Sequence, residues 1–324
     1  MMNKKTFIGL SVWSISICLC VVAASGQAQK NGAKRKADQD HVQINETTLR
    51  WTHTSDDDGT NITMDSKNVE FNDDYTDVER MKEGGYFRLS ERRGDTLRKL
   101  EVTLGADGQL KRQYWEQDAP RPFDDAARKW LSRLLSDSVA GSGYDAQARV
   151  DKLLRRGGAQ AVLAEIARLK SDHARRVYAS ALVERGNLSG EQLAKLLSQS
   201  STSMGSDYEK ATLLIHILKN NLADASVRAA FFETMNTLSS DYERGRVLAV
   251  LFKRSDVSTE TLLLALKSAR GMSSDFEKAN VLIRAARTEA ANESVRAAII
   301  EAAHALSSDH ERGRVLTVVT KKQL

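Results

Sequence analysis

The residues best suited to chemistry in this chain are few and scattered. Asp56-Asp57-Asp58-Gly59 gathers three carboxylates beside a glycine, the raw material of a calcium site. A calcium loop also needs alternating oxygen ligands and a distal bidentate Glu, and those offsets are not filled, so the run reads as a solvated turn. His216 and His304 lack metal-ligand spacing. Arg93-Gly94-Asp95 spells an adhesion tripeptide but falls where a hairpin turn is needed. There is no HExxH, GxSxG, Walker loop or SxxK segment, which removes the metal, nucleophile and phosphate sites those spacings build. The chain therefore reads as non-enzymatic, with no cofactor implied. The alternative is an enzyme or small-ligand site where its two halves meet, around Trp115 and Trp130, because domain junctions are common sites.

What the second half does carry is a repeat. Ser-Asp-(Tyr/Phe/His)-Glu-(Lys/Arg) recurs at Ser206, Ser240, Ser274 and Ser308, each 34 residues after the last, and a weaker Ser171-Asp172-His173 lies 35 residues before Ser206. Period and composition point to helix-turn-helix units stacked along an axis. Each motif is a helix start: Ser206, Ser240, Ser274 or Ser308 caps the first turn, and Glu209, Glu243, Glu277 or Glu311 reaches back three residues later to close a capping box. The intervening Asp meets the positive end of the helix dipole.

Apolar residues then follow helical spacing, as Tyr208, Ala211, Leu214, Ile215 and Leu218, or Tyr242, Gly245, Leu248, Ala249 and Phe252. This predicts one buried stripe per first helix. His173 and His310 share the slot of Tyr208, Tyr242 and Phe276 and read as packing residues. The Lys/Arg at 175, 210, 244, 278 and 312 forms a ladder, read as partners of the Asp three residues earlier.

Second helices are expected to start near Ser189, Ser226, Ser258 and Asn292. Ser226-Val227-Arg228-Ala229-Ala230 returns 68 residues later as Ser294-Val295-Arg296-Ala297-Ala298, which suggests duplication of a two-unit block. The last copy breaks off after its first helix, with Lys321, Lys322 and Gln323 as the candidates for a polar cap. Matched second-helix positions place Phe232 and Ile300 on an apolar floor, with Arg228, Arg270, Arg296 and His304 as a polar rim. These six residues are the expected contact set for a protein or peptide partner.

The chain start carries Lys4 and Lys5, an uncharged apolar run over residues 7–24, and Gly26-Gln27-Ala28. That is the pattern of a secretory signal peptide cleaved after Ala28; an uncleaved membrane anchor is the alternative. Both cysteines, Cys18 and Cys20, lie in that run, so cleavage leaves a chain without thiols. The expected location is periplasmic or secreted, and inner-membrane anchored if the segment stays. Residues 29–40 read as a disordered linker.

Residues 41–122 alternate apolar and polar positions between turn signals. Leu49/Trp51/His53, Ile62/Met64, Val69/Phe71, Phe87/Leu89, Leu100/Val102/Leu104 and Leu110/Arg112/Tyr114 mark short strands of an antiparallel head. Residues 123–170 read as connecting helices and residues 171–324 as the repeats. The expected fold class is α+β, a β-sheet head followed by a right-handed all-α solenoid.

Charge divides between these parts. Residues 51–125 hold 11 Lys/Arg against 18 Asp/Glu, whereas residues 126–324 hold 30 against 22, within a chain of net charge +5. Basic residues alternate with acids at helical spacing, which describes a solvated face and not a nucleic-acid surface. The repeats, Pro122-Phe123-Asp124-Asp125 and the segment 69–77 (VEFNDDYTD) together resemble a family of bacterial secreted repeat proteins. Similar segments resemble the extracytoplasmic part of some BlaR-type sensor metallopeptidases. The resemblance implies a sensing or protein-binding module of the bacterial envelope; it transfers no catalytic residue, because the peptidase motif is missing here.

Overall fold

A computed structural model describes residues 39–45, 47–55, 58–72, 74–219, 222–288 and 292–321. The signal peptide, its cleavage after Ala28 and most of the linker lie outside the described residues. Gln39 and Asp40, expected in that linker, instead open a strand.

Seven strands run in sequence order as one antiparallel meander: β1 (Gln39–Ile44), β2 (Thr48–Ser55), β3 (Thr60–Phe71), β4 (Val78–Arg93), β5 (Thr96–Leu104), β6 (Leu110–Glu116) and β7 (Ala119–Arg121). The two short strands expected around Ile62 and Val69 are one long strand, bent where Asn68 adopts φ 53° and the register shifts. A bulge adds a residue without ending the ladder, which alternation alone does not reveal. Pro120 sits in β7 at the sheet edge, where a missing N–H is tolerated. The pairings Trp51↔Met64, Met64↔Leu89, Leu89↔Leu100 and Leu100↔Tyr114 align apolar side chains on one face. Arg50↔Asp65, Asp65↔Arg88 and Arg88↔Glu101 line the other, as expected of a sheet covered on one side.

The cover is α1 (Asp125–Ser142), capped by Asp124, whose carboxylate accepts from Ala127 N–H at 3.0 Å. Its Trp130, Leu131, Leu134, Leu135 and Val139 close the head core with Leu49, Phe87, Leu89 and Val102. One turn further along, Ala140 belongs to the second core, which continues unbroken to Val319. Helix α1 thus joins head to repeats. Next, α2 (Ala146–Arg168) kinks at Gly157 and Gly158, the latter at φ 62°, between the two helices expected there.

The repeats follow as α3 (Asp172–Arg185), α4 (Gly190–Ser203), α5 (Asp207–Ile217), α6 (Ala225–Asn236), α7 (Asp241–Leu251), α8 (Thr259–Arg270), α9 (Asp275–Ala286), α10 (Glu293–His304) and α11 (Asp309–Lys321). First helices α3, α5, α7, α9 and α11 pack in series, and so do second helices α4, α6, α8 and α10, giving two layers around one core.

The caps show how units join. Ser206, Ser240, Ser274 and Ser308 each accept from the backbone N–H three residues on, all at 3.3 Å. The reciprocal Glu bond is replaced by a longer one. Asp172 Oδ2 accepts the Gly205 and Ser206 amides, Asp207 Oδ2 those of Ser239 and Ser240, Asp241 Oδ2 those of Ser273 and Ser274, and Asp275 Oδ2 that of Ser308, at 2.7–2.9 Å. The motif Asp is therefore a tie between successive repeats as well as a dipole partner. A full capping box occurs at Ser189 and Gln192. Helix α6 is capped by Asp224, two residues before the expected Ser226, whose N–H and hydroxyl both bond to it.

Candidate functional site

The Lys/Arg ladder is buried. Lys210, Arg244 and Lys278 are core members of the motif, with Lys210 Nζ on Thr237 O at 3.2 Å and Arg244 Nη2 on Leu238 O at 2.5 Å. Arg175 reaches Ser203 O at 2.7 Å and Arg312 reaches Leu306 O at 2.7 Å. The pairing with the preceding Asp is present at Arg175–Asp172 (2.7 Å), Lys210–Asp207 (3.6 Å) and Arg312–Asp309 (2.7 Å). These cations satisfy the carbonyl ends of neighbouring helices, so they brace the stack and leave no charge for a partner.

The aromatic slot behaves in the opposite way, and the expectation that it packs is corrected here. Tyr208, Tyr242 and Phe276 are 53%, 61% and 55% exposed, and His310 is exposed as well. The buried arc of α5 is Lys210, Ala211, Leu213, Leu214 and Ile217, which turns Tyr208 outward. Because the motif phase is constant, every first helix presents its aromatic in the same direction.

A second exposed row runs beside it. Lys219, Lys253, Arg287 and Lys321 are exposed and lie 34 residues apart, each 11 residues after the aromatic of its own repeat. Eleven residues bring a helix back to within about 20° of the same face and about 16 Å further along its axis. Each first helix thus carries an aromatic at one end and a cation at the other, on one side. Between the two rows lie Thr212 and Ile215, Arg246 and Ala249, Asn280 and Ile283, Arg314 and Thr317.

Electrostatics hold the aromatic row in place. Arg246 of α7 lies over the Tyr208 ring of α5 at 5.3 Å, and Arg314 of α11 over the Phe276 ring of α9 at 5.7 Å. Both guanidiniums are anchored in turn, Arg246 on Glu243 at 2.5 Å and Arg314 on Glu311 and on Asn280 Oδ1 at 3.0 Å. Glu209 is bound by Arg176 at 2.5 Å and by His173 at 3.3 Å. Burial pushes its carboxyl pKa up, but those partners outweigh it and hold the pKa below its ordinary value. His216 lies on the same face, against Glu184 at 3.3 Å, with its pKa lowered by burial and by the charge of Lys219. Between α9 and α11 the face opens into a groove of about 870 Å³ lined by Asn280, Ile283, Arg287, His310, Arg314 and Thr317 among others.

The six second-helix residues expected to meet a partner do not form one surface. Phe232 is 5% exposed and stacks edge-on against Phe231 in the core, so its place on a groove floor is corrected. Arg228 is folded onto Leu222 O and Ala223 O, each at 3.1 Å, and onto Glu260 at 2.7 Å. Arg270 is exposed and pairs with Glu301 at 2.5 Å; His304 is exposed; Arg296 and Ile300 are half-buried, with Ile300 against the core.

At the head, Trp130 is buried, its Nε1 donating to Glu91 at 2.8 Å, while Trp115 lies on the opposite sheet face. The two do not converge on one cavity. The junction itself holds a cavity of about 300 Å³ bordered by Trp51, His53, Glu91 and Arg133. Its carboxylates are engaged, Asp58 with Arg93 at 3.0 Å, Glu91 with Arg133 at 3.5 Å and Glu165 with Arg168 at 3.3 Å. Among the described residues no group of three or more His, Cys, Asp or Glu could hold a metal, and no helix is long and apolar enough to cross a membrane. No family model, curated protein or solved structure matches the chain.

Proposed function

We propose that the chain is a protein-binding module, and that its contact surface is the outer face of the first helices. The observation that carries this reading is the fourfold recurrence of an exposed ring or imidazole at 208, 242, 276 and 310 in register with an exposed cation at 219, 253, 287 and 321. Isolated exposed apolar residues need no explanation, but aligned aromatics beside arginine are the residue types that dominate binding surfaces. A stack of repeats presents such a surface as a continuous strip.

The Lys4/Lys5 start and apolar run support export, which would put the module in the bacterial envelope with a protein or peptide of that compartment as partner. Intact mass of the envelope-fraction protein tests export: a mature chain starting at Gln29 supports it, and one retaining residues 1–28 supports an anchor.

Binding is tested by comparing envelope proteins captured by the wild-type chain with those captured by a Tyr208→Ala/Tyr242→Ala/Phe276→Ala variant and by an Arg228→Glu/Arg270→Glu/Arg296→Glu variant. The reading expects the first variant to lose proteins that the second retains. Equal capture by the wild type and the aromatic variant would overturn it.

A further inference from the structure

The chemistry of the segment that fits this face can be read from its spacing, on the premise that the first-helix face is the binding surface. Among the described residues none of Lys219, Lys253, Arg287 and Lys321 forms an ion pair, while the arginines of the aromatic row are neutralised by Glu243 and Glu311. The free charge of the face is thus a single positive row, one cation per repeat. Its complement is a row of carboxylates.

Consecutive packed helices lie about 8–10 Å apart, so the cations recur at about 9 Å. A polyproline-II segment advances about 3.1 Å per residue with three residues per turn, and returns the same side of the chain every 9.3 Å. Over the three steps from Lys219 to Lys321 it stays in register to about 1 Å. A β-strand repeats a face every second residue, about 6.7 Å, and slips by about 7 Å over the same three steps. An α-helix with one carboxylate per seven residues advances about 10.5 Å and slips by between 4 and 5 Å, roughly.

The floor points the same way. A helix seated in a groove needs a continuous apolar bed, whereas here Ile215 and Ile283 alternate with Arg246, Asn280 and Arg314. Those side chains are donors. A polyproline-II backbone has no internal hydrogen bonds and offers every carbonyl to them.

We infer that the first-helix face recognises an extended acidic segment in polyproline-II conformation, with a carboxylate at every third residue against Lys219, Lys253, Arg287 and Lys321 and its backbone toward the aromatic row. The test uses three labelled peptides of equal net charge and four Glu each, with binding read by fluorescence anisotropy at near-physiological salt. One has Glu-Pro-Pro repeated four times. The second has the same composition with Glu at alternate positions followed by the remaining prolines. The third is an alanine-rich helix with Glu at every seventh position.

The expected result is tightest binding of the first, by about tenfold over the second, with that advantage lost in Lys253→Glu/Arg287→Glu at wild-type helicity. Equal affinities for the two proline peptides, tightest binding of the helical one, or no binding of any overturns the inference. If equal affinities still fall in the Tyr208/Tyr242/Phe276 alanine variant, the face remains the binding surface and the polyproline register alone is wrong. Affinities unchanged in both variants overturn the face as well.

Discussion

The two helical layers are built from the same 34-residue unit, yet they spend their side chains differently. Second helices turn their largest residues inward: Phe231, Leu262, Leu266 and Ile299 are core, and Arg228 folds back onto the carbonyls that precede its own helix. First helices use their motif residues for three separate tasks. Ser caps the helix, Asp ties the next repeat, and the buried Lys or Arg braces a neighbouring helix end. The ring between Asp and Glu is then left outside. A repeat that completes its internal hydrogen bonding with its polar residues can afford to display its aromatic ones.

The sharpest way to break this contrast is to remove one ring from each layer. Phe231→Ala deletes a fully buried side chain and should cost about 3–5 kcal/mol, whereas Tyr242→Ala, already 61% exposed, should change stability by no more than about 0.5 kcal/mol. Urea unfolding of both variants checks this, and a large loss for Tyr242→Ala would return the ring to the core.

A smaller effect separates interior ties from the terminal one. Asp207→Ala strips the acceptor from the Ser239 and Ser240 amides and should cost about 1–3 kcal/mol. At the equivalent Asp309, whose side chain is 92% exposed, the same change should cost about 0.5 kcal/mol or less. Equal losses at the two sites would mean that the inter-repeat bond is not what the motif Asp supplies. Below that comes the cap: Ser240→Ala should lower stability by about 1 kcal/mol with partner binding in the folded variant unchanged.

Acid sharpens the same distinction. Burial raises the Asp207 carboxyl, but the Ser239 and Ser240 hydrogen bonds and the Lys210 charge outweigh it, so its pKa lies below the ordinary 3.8. Glu209 is likewise held below 4.5 by His173 and Arg176. A depressed folded-state pKa gives stability that is fully present above the unfolded value and is lost as pH falls through the folded one. The free energy of unfolding should therefore drop on the acid side of those values, and less steeply in Asp207→Asn; identical acid limbs would contradict the assignment.

Much of this was legible in the sequence because the capping motif is local. Ser and Asp act within one turn or on the next amide pair, so period, helix starts and the α+β division follow from spacing. The direction of each ring was not legible, for a physical reason. Helix α5 is apolar on several sides, at Leu213, Leu214, Ile215, Ile217 and Leu218, because a stacked helix is buried by both neighbours and by the second layer. A stripe through Tyr208 and Ala211 is then as good a fit as the true arc through Lys210, Leu213 and Ile217, and a lysine marks that arc as polar until its carbonyl partners are known. The signal available was the slot itself, since a site that accepts Tyr, Phe and His alike makes poor core. The Lys219 to Lys321 row was equally available, as a 34-residue period in a charged residue.

One measurement addresses the contrast between layers most directly: placing the photo-crosslinking side chain p-benzoyl-phenylalanine at Tyr242 on a first helix and, separately, at Arg270 on a second helix, then irradiating each folded chain with envelope extract. The account predicts discrete protein adducts from position 242 that are competed away by unlabelled wild-type chain, with none of them formed from position 270. Adducts of the same proteins arising from position 270, and not from position 242, would contradict it and place the binding surface on the second helices.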